Sequence, residues 1–312
     1  MTKLTIGIDI SKALLDVALH PGGEVVQFSN DKKGHKAFVK WASAFDVNLI
    51  VFEATGAYHR GLERFLGDRE LAYAKVNPRH TKHFGQAIGN LAKTDTIDAK
   101  MLARFGQVLN PSQTVIKSQT LDELGEFVRM RQALIKDRTA AKNRMHIVHS
   151  KLGQRQLKKR VKQIKSDIKE IDDACKALIM GDEVLKKRFE TLMSIPGLGE
   201  TTCIIMLSEM PELGTMDKKQ VAALAGLAPI TRQSGTWKGK SFIQGGRANL
   251  RRALYMPALV AMRHNPELAK KYQDMISKGK PPKVALTTLM RKLIITANAL
   301  IRDNRKYTEK TA

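Results

Sequence analysis

The chain of 312 residues carries 54 Lys and Arg against 30 Asp and Glu, a formal charge of +24. That length accommodates about two domains with sizeable cores, and the basic excess points to a polyanionic partner, nucleic acid or an anionic membrane surface, not to an ordinary metabolic enzyme. No uninterrupted run of about 18 apolar residues occurs, the stretch Met1–Asp9 puts an acid where a signal peptide needs its apolar segment, and only two cysteines, Cys175 and Cys203, are present. Two distant cysteines exclude a disulfide framework and a zinc finger, fit a reducing compartment, and read as small buried apolar residues.

The charge is unevenly placed. Residues 1–110 hold 15 basic and 11 acidic residues, a net of +4, which leaves 39 and 19 for residues 111–312, a net of +20. The first part can host an acidic site, and the second reads as a grip on a polyanion. In chain order, Leu4–Ile10 alternates as a strand does. Leu14–Leu19 and Glu24–Phe28 are two further strands, separated by a Pro21-Gly22-Gly23 turn. A helix pattern (34–44), the apolar strand Leu49–Phe52 ending at Glu53, a helix from about Tyr58 to Asp68, and a strand Ala72–Val76 closed by Asn77-Pro78 follow. A last helix starts near Asp95. Three meandering strands and then alternating helices and strands predict a mixed sheet flanked by helices.

Residues 118–190 contain little glycine and no proline. Leu157, Val161, Ile164, Ile168, Ile171, Cys175 and Leu178 recur at a strict heptad spacing. An earlier helix carries Leu121, Leu124, Val128 and Ile135, with Gly153 expected as the turn between the two. Narrow apolar seams of this kind predict an antiparallel coiled-coil hairpin that pairs with another subunit, with an intramolecular bundle as the alternative. In residues 191–312, Ser194-Ile-Pro-Gly-Leu-Gly-Glu200 resembles a helix-hairpin-helix turn, whose amides contact phosphate; a plain interhelix turn is the alternative. A Gly-rich basic stretch follows with Arg232, Lys238, Lys240 and Arg247, then a basic helix with Arg251 and Arg252. These six are the candidate nucleic-acid contacts, because glycines admit a ligand to the backbone and cations suit phosphates. The final helix, 284–300, reads as core.

Four acids stand out by position. Asp9 and Glu53 end two strands, and Asp95 and Asp98 share one face at a helix start. If the two strands are neighbours, the four carboxylates meet at one sheet edge, where they cannot all stay ionised without a cation. Hard oxygen donors select Mg²⁺ or Mn²⁺, the ions of in-line phosphodiester chemistry. Each acid also has an ordinary reading: a turn residue for the strand ends, a helix cap for Asp95. His80-x-x-His83 and His146-x-x-His149 lack a third ligand in sequence, and Ser234 carries no triad signature on spacing alone.

Gly7-Ile8-Asp9-Ile10-Ser11-Lys12, Glu53-Ala54-Thr55-Gly56 and Lys93-Thr94-Asp95-Thr96-Ile97-Asp98-Ala99 resemble the three acidic motifs of the DEDD insertion-sequence transposases, a family that includes the Piv-type invertases and the bridge-RNA-guided serine recombinases. Ile195–Gly199, Ala225–Pro229, Gln233-Ser234-Gly235 and Leu250-Arg251-Arg252 resemble its second block. The resemblance implies a RuvC-like (RNase H-fold) α/β domain over 1–117, a coiled-coil oligomerisation hairpin over 118–190, and a mainly helical transposase domain over 191–312. It implies Asp9, Glu53, Asp95 and Asp98 as the Mg²⁺ ligands and Ser234 as the DNA nucleophile, with Thr231, Thr236 and Ser241 close enough to compete for that role. It further implies donor and target DNA, a structured guide RNA that reads sequence by base pairing, a homodimer or homotetramer, and a cytoplasmic, nucleoid-associated setting with no membrane. Three rivals stand beside it: a RuvC-like nuclease or junction resolvase using water, a non-catalytic nucleic-acid scaffold, and a sugar-kinase or actin-like ATPase, for which the charge is wrong and a second phosphate loop is missing.

Overall fold

A computed structural model of the chain describes residues 3–54, 56–90, 94–116 and 118–308, without the Lys238 side chain. It divides into two compact units, 1–116 and 117–312. Thr55 and Lys93 of the acidic motifs and the boundary residue Lys117 lie outside the described residues.

The first unit runs β1 (Leu4–Ile10), β2 (Leu14–His20), β3 (Val25–Ser29), α1 (Lys32–Ala42), β4 (Val47–Glu53), α2 (Arg60–Gly67), β5 (Tyr73–Val76), α3 (Pro78–Ala87) and α4 (Asp95–Leu109). Its sheet has the order β3-β2-β1-β4-β5. The first three strands form an antiparallel meander, while β4 and β5 run parallel to β1. This is the mixed sheet expected from the sequence, with β1 and β4 side by side at its centre. Alternation decides the two faces. Ile6, Ile8, Leu15, Val17, Ile50 and Phe52 pack with Phe38 of α1 and Leu62 and Leu66 of α2. Leu49, Val51, Ala74 and Val76 pack on the other face against Met101, Leu102 and Phe105 of α4.

Helix α4 lies very close to the strands because the facing residues are small. Ala18 clusters with Ala99 and Ala103, and a Cβ on Gly7 would fall 2.1 Å from the Ala103 amide nitrogen and 2.3 Å from the Ala99 carbonyl oxygen. On the opposite layer Glu63 ties α2 to the sheet. It accepts a hydrogen bond from Lys75 Nζ at 2.6 Å and lies 3.4 Å from His59 Nε2. Burial alone would push its carboxyl up, but His59 and Lys75 outweigh burial and hold it at about 2.

Helix α3 is not expected from the sequence, where Asn77-Pro78 reads as the end of a strand. The same dipeptide starts a helix. The Asn77 side chain accepts from the Arg79 amide at 3.0 Å, and Pro78 occupies the first turn, where a missing N–H costs nothing.

The second unit runs α5 (Gln119–Met145), α6 (Lys151–Met180), α7 (Glu183–Met193), α8 (Glu200–Glu209), α9 (Lys218–Leu224), β6 (Pro229–Ile230), β7 (Gln233–Ser234), β8 (Trp237–Lys238), β9 (Phe242–Ile243), α10 (Ala248–Ala253), α11 (Tyr255–His264), α12 (Pro266–Ser277) and α13 (Pro282–Arg302). Helices α5 and α6 form the hairpin, but Gly153 is not its turn. It lies in the first turn of α6, where its amide donates to the Ser150 cap at 3.2 Å, and residues 146–150 make the reversal. A Cβ on Gly153 would fall 2.5 Å from Val148 Cγ1, so the glycine serves close packing of the connection.

The heptad seam is used largely within the chain. Ile164, Ile168, Ile171 and Cys175 are buried, and Leu157, Val161 and Leu178 half-buried. Arg131 of α5 grips Asp172 of α6 with two hydrogen bonds, at 2.5 and 3.2 Å. The near end of the hairpin shares one core with the later helices: Leu124, Cys175, Ile179, Leu192, Cys203, Leu250 and Ile294 all belong to it. Both cysteines are buried, and burial pushes their thiols up to about 11 at Cys175 and about 12 at Cys203. Helix α13 is long and apolar enough to cross a membrane, although no single apolar run reaches that length. Its apolar side, including Leu289, Leu293, Ile294 and Ala297, lies in the core instead.

Candidate active site

The register of the sheet brings the first two acids together. The last pair between β1 and β4 is Ile8 with Phe52, so Asp9 and Glu53 are the next residue on each strand. They share a face with Gly7 and Val51, the face that α4 covers. Asp95 and Asp98 stand in the first turn of α4. Thr94, not Asp95, caps that helix, accepting from the Ile97 amide at 3.2 Å, so the capping alternative for Asp95 falls away. Both aspartates sit at the positive end of the helix dipole.

The electrostatics register this convergence. Asp9 is pushed up to about 6, first by burial and then by the neighbouring charges of Asp98, Asp95 and Glu53. Four carboxylates repel one another at one sheet edge, the situation a divalent cation relieves. Among the described residues, no three His, Cys, Asp or Glu side chains converge closely enough to enclose an ion as they stand. The donor set is all oxygen and fits Mg²⁺ or Mn²⁺ in chemistry.

Several residues that sequence reasoning passed over hold this edge in place. The buried Thr81 of α3 donates its hydroxyl hydrogen to Glu53 Oε1. Asn30 joins the loops that leave β1 and β4. Its amide donates to the Ser11 carbonyl at 2.8 Å and to the Tyr58 carbonyl at 3.2 Å, and its side-chain oxygen pairs with His35 Nε2 at 2.9 Å. Burial holds the His35 imidazole below its usual value. Asp16, opposite Asp9 in the β1–β2 register, is buried and accepts from Gln27 at 3.0 Å. Its placement follows from strand pairing and could have been read from the meander. Thr81 and Asn30 required α3 and the two loops to be known.

The second unit places its candidates on an exposed Gly-rich excursion between α9 and α10. Strands β7 and β8 form a two-residue hairpin in which Ser234 pairs with Trp237 and Gln233 with Lys238. Gly235 takes φ +55°, the sign that the first central position of a type II′ turn requires. Ser234 is exposed. Arg232 stacks over Phe242, with its guanidinium carbon 5.0 Å from the ring centre. Lys240 and Arg252 are exposed, Arg252 with hydrogen bonds to Asn249 Oδ1 and the Ala248 carbonyl of its own helix, whereas Arg247 and Arg251 are half-buried. Arg247 makes a two-pronged pair with Glu212 at 2.8 and 2.7 Å, and Arg251 donates to the Gly245 carbonyl at 2.6 Å.

The turn before α8 packs inward at Gly197. This residue has φ +97°, and a Cβ there would meet Ala261 at 2.9 Å. The paired histidines bring no metal site into view. His80 and His83 are exposed on α3, His146 caps α5, and His149 lies in the connection after it.

Comparison with known proteins adds an independent line. A family profile for DEDD-type IS110 transposases matches residues 6–149, and one described as the IS116/IS110/IS902 transposase family matches residues 189–273. The pilin gene-inverting protein of Moraxella lacunata is 31% identical over 99% of both chains, and that of Moraxella bovis 30% over the same shares. An uncharacterized 43.6 kDa protein of insertion element IS110 from Streptomyces coelicolor is 34% identical over 37% of this chain and 29% of its own length.

Proposed function

The chain belongs to the IS110-type transposase family and is a DNA transposase or site-specific recombinase; from that premise we propose that it cuts and rejoins DNA through a phosphoserine intermediate at Ser234, assisted by a divalent-metal site on Asp9, Glu53, Asp95 and Asp98. The observation that carries the metal reading is that Asp9 and Glu53 end adjacent strands, near enough to Asp95 and Asp98 for those charges to help push Asp9 to about 6. The sheet order and the position of these acids also support a RuvC-like reading of the first unit. A bound Mg²⁺ would neutralise charge on the transferred phosphate. Thr81 orients Glu53, and α4 presents Asp95 and Asp98 on one rigid support. The Ser234 hydroxyl attacks the DNA phosphorus, the P–O bond to the neighbouring 3′ oxygen breaks, and the serine proton leaves to a base while the 3′ oxygen takes one up. Attack on that linkage by the freed 3′-hydroxyl of another strand rejoins DNA and restores the serine. Exposure of Ser234 at the hairpin tip supports this role.

Residues 111–312, with their net +20, suit long polyanions. Donor and target DNA are the substrates, a structured noncoding RNA is the guide, and Arg232, Lys238, Lys240 and Arg252 are the phosphate contacts. A second copy of the chain is the partner of the hairpin. The apolar groove of about 540 Å³ that Phe127, Met130, Leu134 and Ala174 line supports that pairing. The setting is cytoplasmic, on DNA.

The test is trapping of a covalent protein–DNA adduct. Asp9→Asn should reduce strand cleavage at least about a hundredfold while binding persists, and Ser234→Ala should abolish the adduct. One observation favours a second reading, a nuclease using water: the four acids converge within the first unit alone. Metal-dependent cleavage without any adduct would establish it.

A further inference from the structure

The two tryptophans of the chain are placed in opposite ways. Trp41 packs among aromatic neighbours, 5.9 Å from Phe28 and 5.0 Å from Phe45 between ring centres. Trp237 is 59% exposed, on a hairpin outside the core. An exposed indole of this size gains little from the fold, yet one edge of its ring is packed. A Cβ on Gly239 would fall 2.5 Å from Trp237 Cη2 and 3.0 Å from Cζ2, so the benzo edge of the ring rests directly on the Gly239 backbone. Gly239 is itself anchored by its amide, which donates to the Arg232 carbonyl at 2.9 Å. The indole thus has one edge on the Gly239 backbone and more than half of its surface exposed.

The register adds a second observation. Ser234 and Trp237 are direct antiparallel partners, and partners in such a pair project to the same face with Cβ atoms about 5 Å apart. The serine hydroxyl and the indole therefore stand side by side, within the reach of one nucleotide. Cationic Arg232 lies on the same excursion, braced on Phe242. A held aromatic face beside a cation is how proteins receive a base that has left its stack, and stacking of this kind tolerates any base because every base has a π-face.

We propose that Trp237 is a stacking platform for an unpaired DNA base adjacent to the phosphate that Ser234 attacks. The proposal rests on the Ser234 reading for the identity of that phosphate. It makes Trp237 a positioning residue: stacking fixes the nucleotide, and the fixed nucleotide presents its phosphate to the hydroxyl across the hairpin. It also predicts that the strand is locally unpaired when it reaches the hairpin, since a base within a duplex offers no free face.

The experiment uses the full chain carrying Trp41→Phe, in which Trp237 is the only tryptophan. The probes are a 12-nucleotide single-stranded DNA, the fully paired duplex of the same sequence, and the same strand as RNA. Saturating single-stranded DNA should quench the emission, and duplex should not. In separate binding assays Trp237→Ala should weaken single-strand binding roughly tenfold while leaving duplex binding within about twofold, and Trp237→Phe should retain most of the affinity. Saturated single-strand binding with no quenching, or unchanged affinity in Trp237→Ala, would overturn the platform. Quenching by RNA but not DNA would overturn the assignment to DNA. Adding Ser234→Ala separates the two readings. Quenching that survives there supports the platform, and an adduct that also survives overturns Ser234 alone.

Discussion

The sheet edge of the first unit and the hairpin of the second carry the candidate chemistry on opposite kinds of support. Asp9, Glu53, Asp95 and Asp98 project from two central strands and a helix pressed onto them, and each position follows from register or helical periodicity. Ser234 and Trp237 stand on two-residue strands outside the core. A site that must gather mutually repelling charges needs a frame that cannot relax, whereas a site that must meet a bulky polymer needs reach. The charge follows the same division: the first 110 residues are nearly balanced, and the remainder carries +20.

Four substitutions bear on this contrast, in falling order of effect. Gly7→Ala attacks the frame, because a methyl there collides with the α4 backbone. It should cost the first unit about 3 kcal/mol or more. Hydrogen exchange would show α4 opening while α13 keeps its protection, and equal protection in α4 would contradict the close-packed frame. Thr81→Val removes the hydroxyl bonded to Glu53 at nearly constant volume. Cleavage should fall roughly tenfold, with Thr81→Ser restoring it and circular dichroism unchanged.

Arg252→Ala tests the reach of the second unit. Duplex affinity should drop about threefold, and the slope of log affinity against log salt should shrink by about one. A full slope would remove Arg252 from the phosphate contacts. The smallest effect concerns Glu63, whose carboxyl lies at about 2 in the fold against an ordinary 4.5. A depressed carboxyl stabilises the fold above its unfolded value and loses that contribution as pH falls from about 4.5 towards 2. Acid titration of Glu63→Gln should therefore show a flatter decline over that window than the parent chain.

The same division explains what could be read without coordinates. Alternation along 4–10 and the apolar run 49–52 identify two strands that end in Asp9 and Glu53, but their adjacency stays a condition until the parallel β1–β4 pairing meets it. The spacing of Asp95 and Asp98 put them on one helix face. Asn77-Pro78 misled because a proline that closes a strand and one that opens a helix look alike until the Asn77 cap is seen. Gly153 misled for a related reason: a glycine needed for close approach to Val148 has the same signature as a turn. In the second unit, composition identified a basic Gly-rich stretch but could not separate Arg247, which is bonded to Glu212, from the exposed Arg252. That difference depends on a contact 35 residues away in sequence. Trp237 carries no sequence signal at all, since its meaning comes from the partner the hairpin gives it.

The seam of Gly7, Ala18, Ala99 and Ala103 has a thermodynamic consequence. With no room for a methyl between α4 and β1, the helix that carries Asp95 and Asp98 cannot translate towards Asp9 and Glu53. Any closure of the four carboxylates around a cation must then come from side-chain torsions alone. Ion uptake at this edge should bury almost no new apolar surface, so it should lack the negative heat-capacity change that apolar burial gives. Calorimetry of the metal titration at several temperatures would read that as a binding enthalpy that does not become more negative on warming.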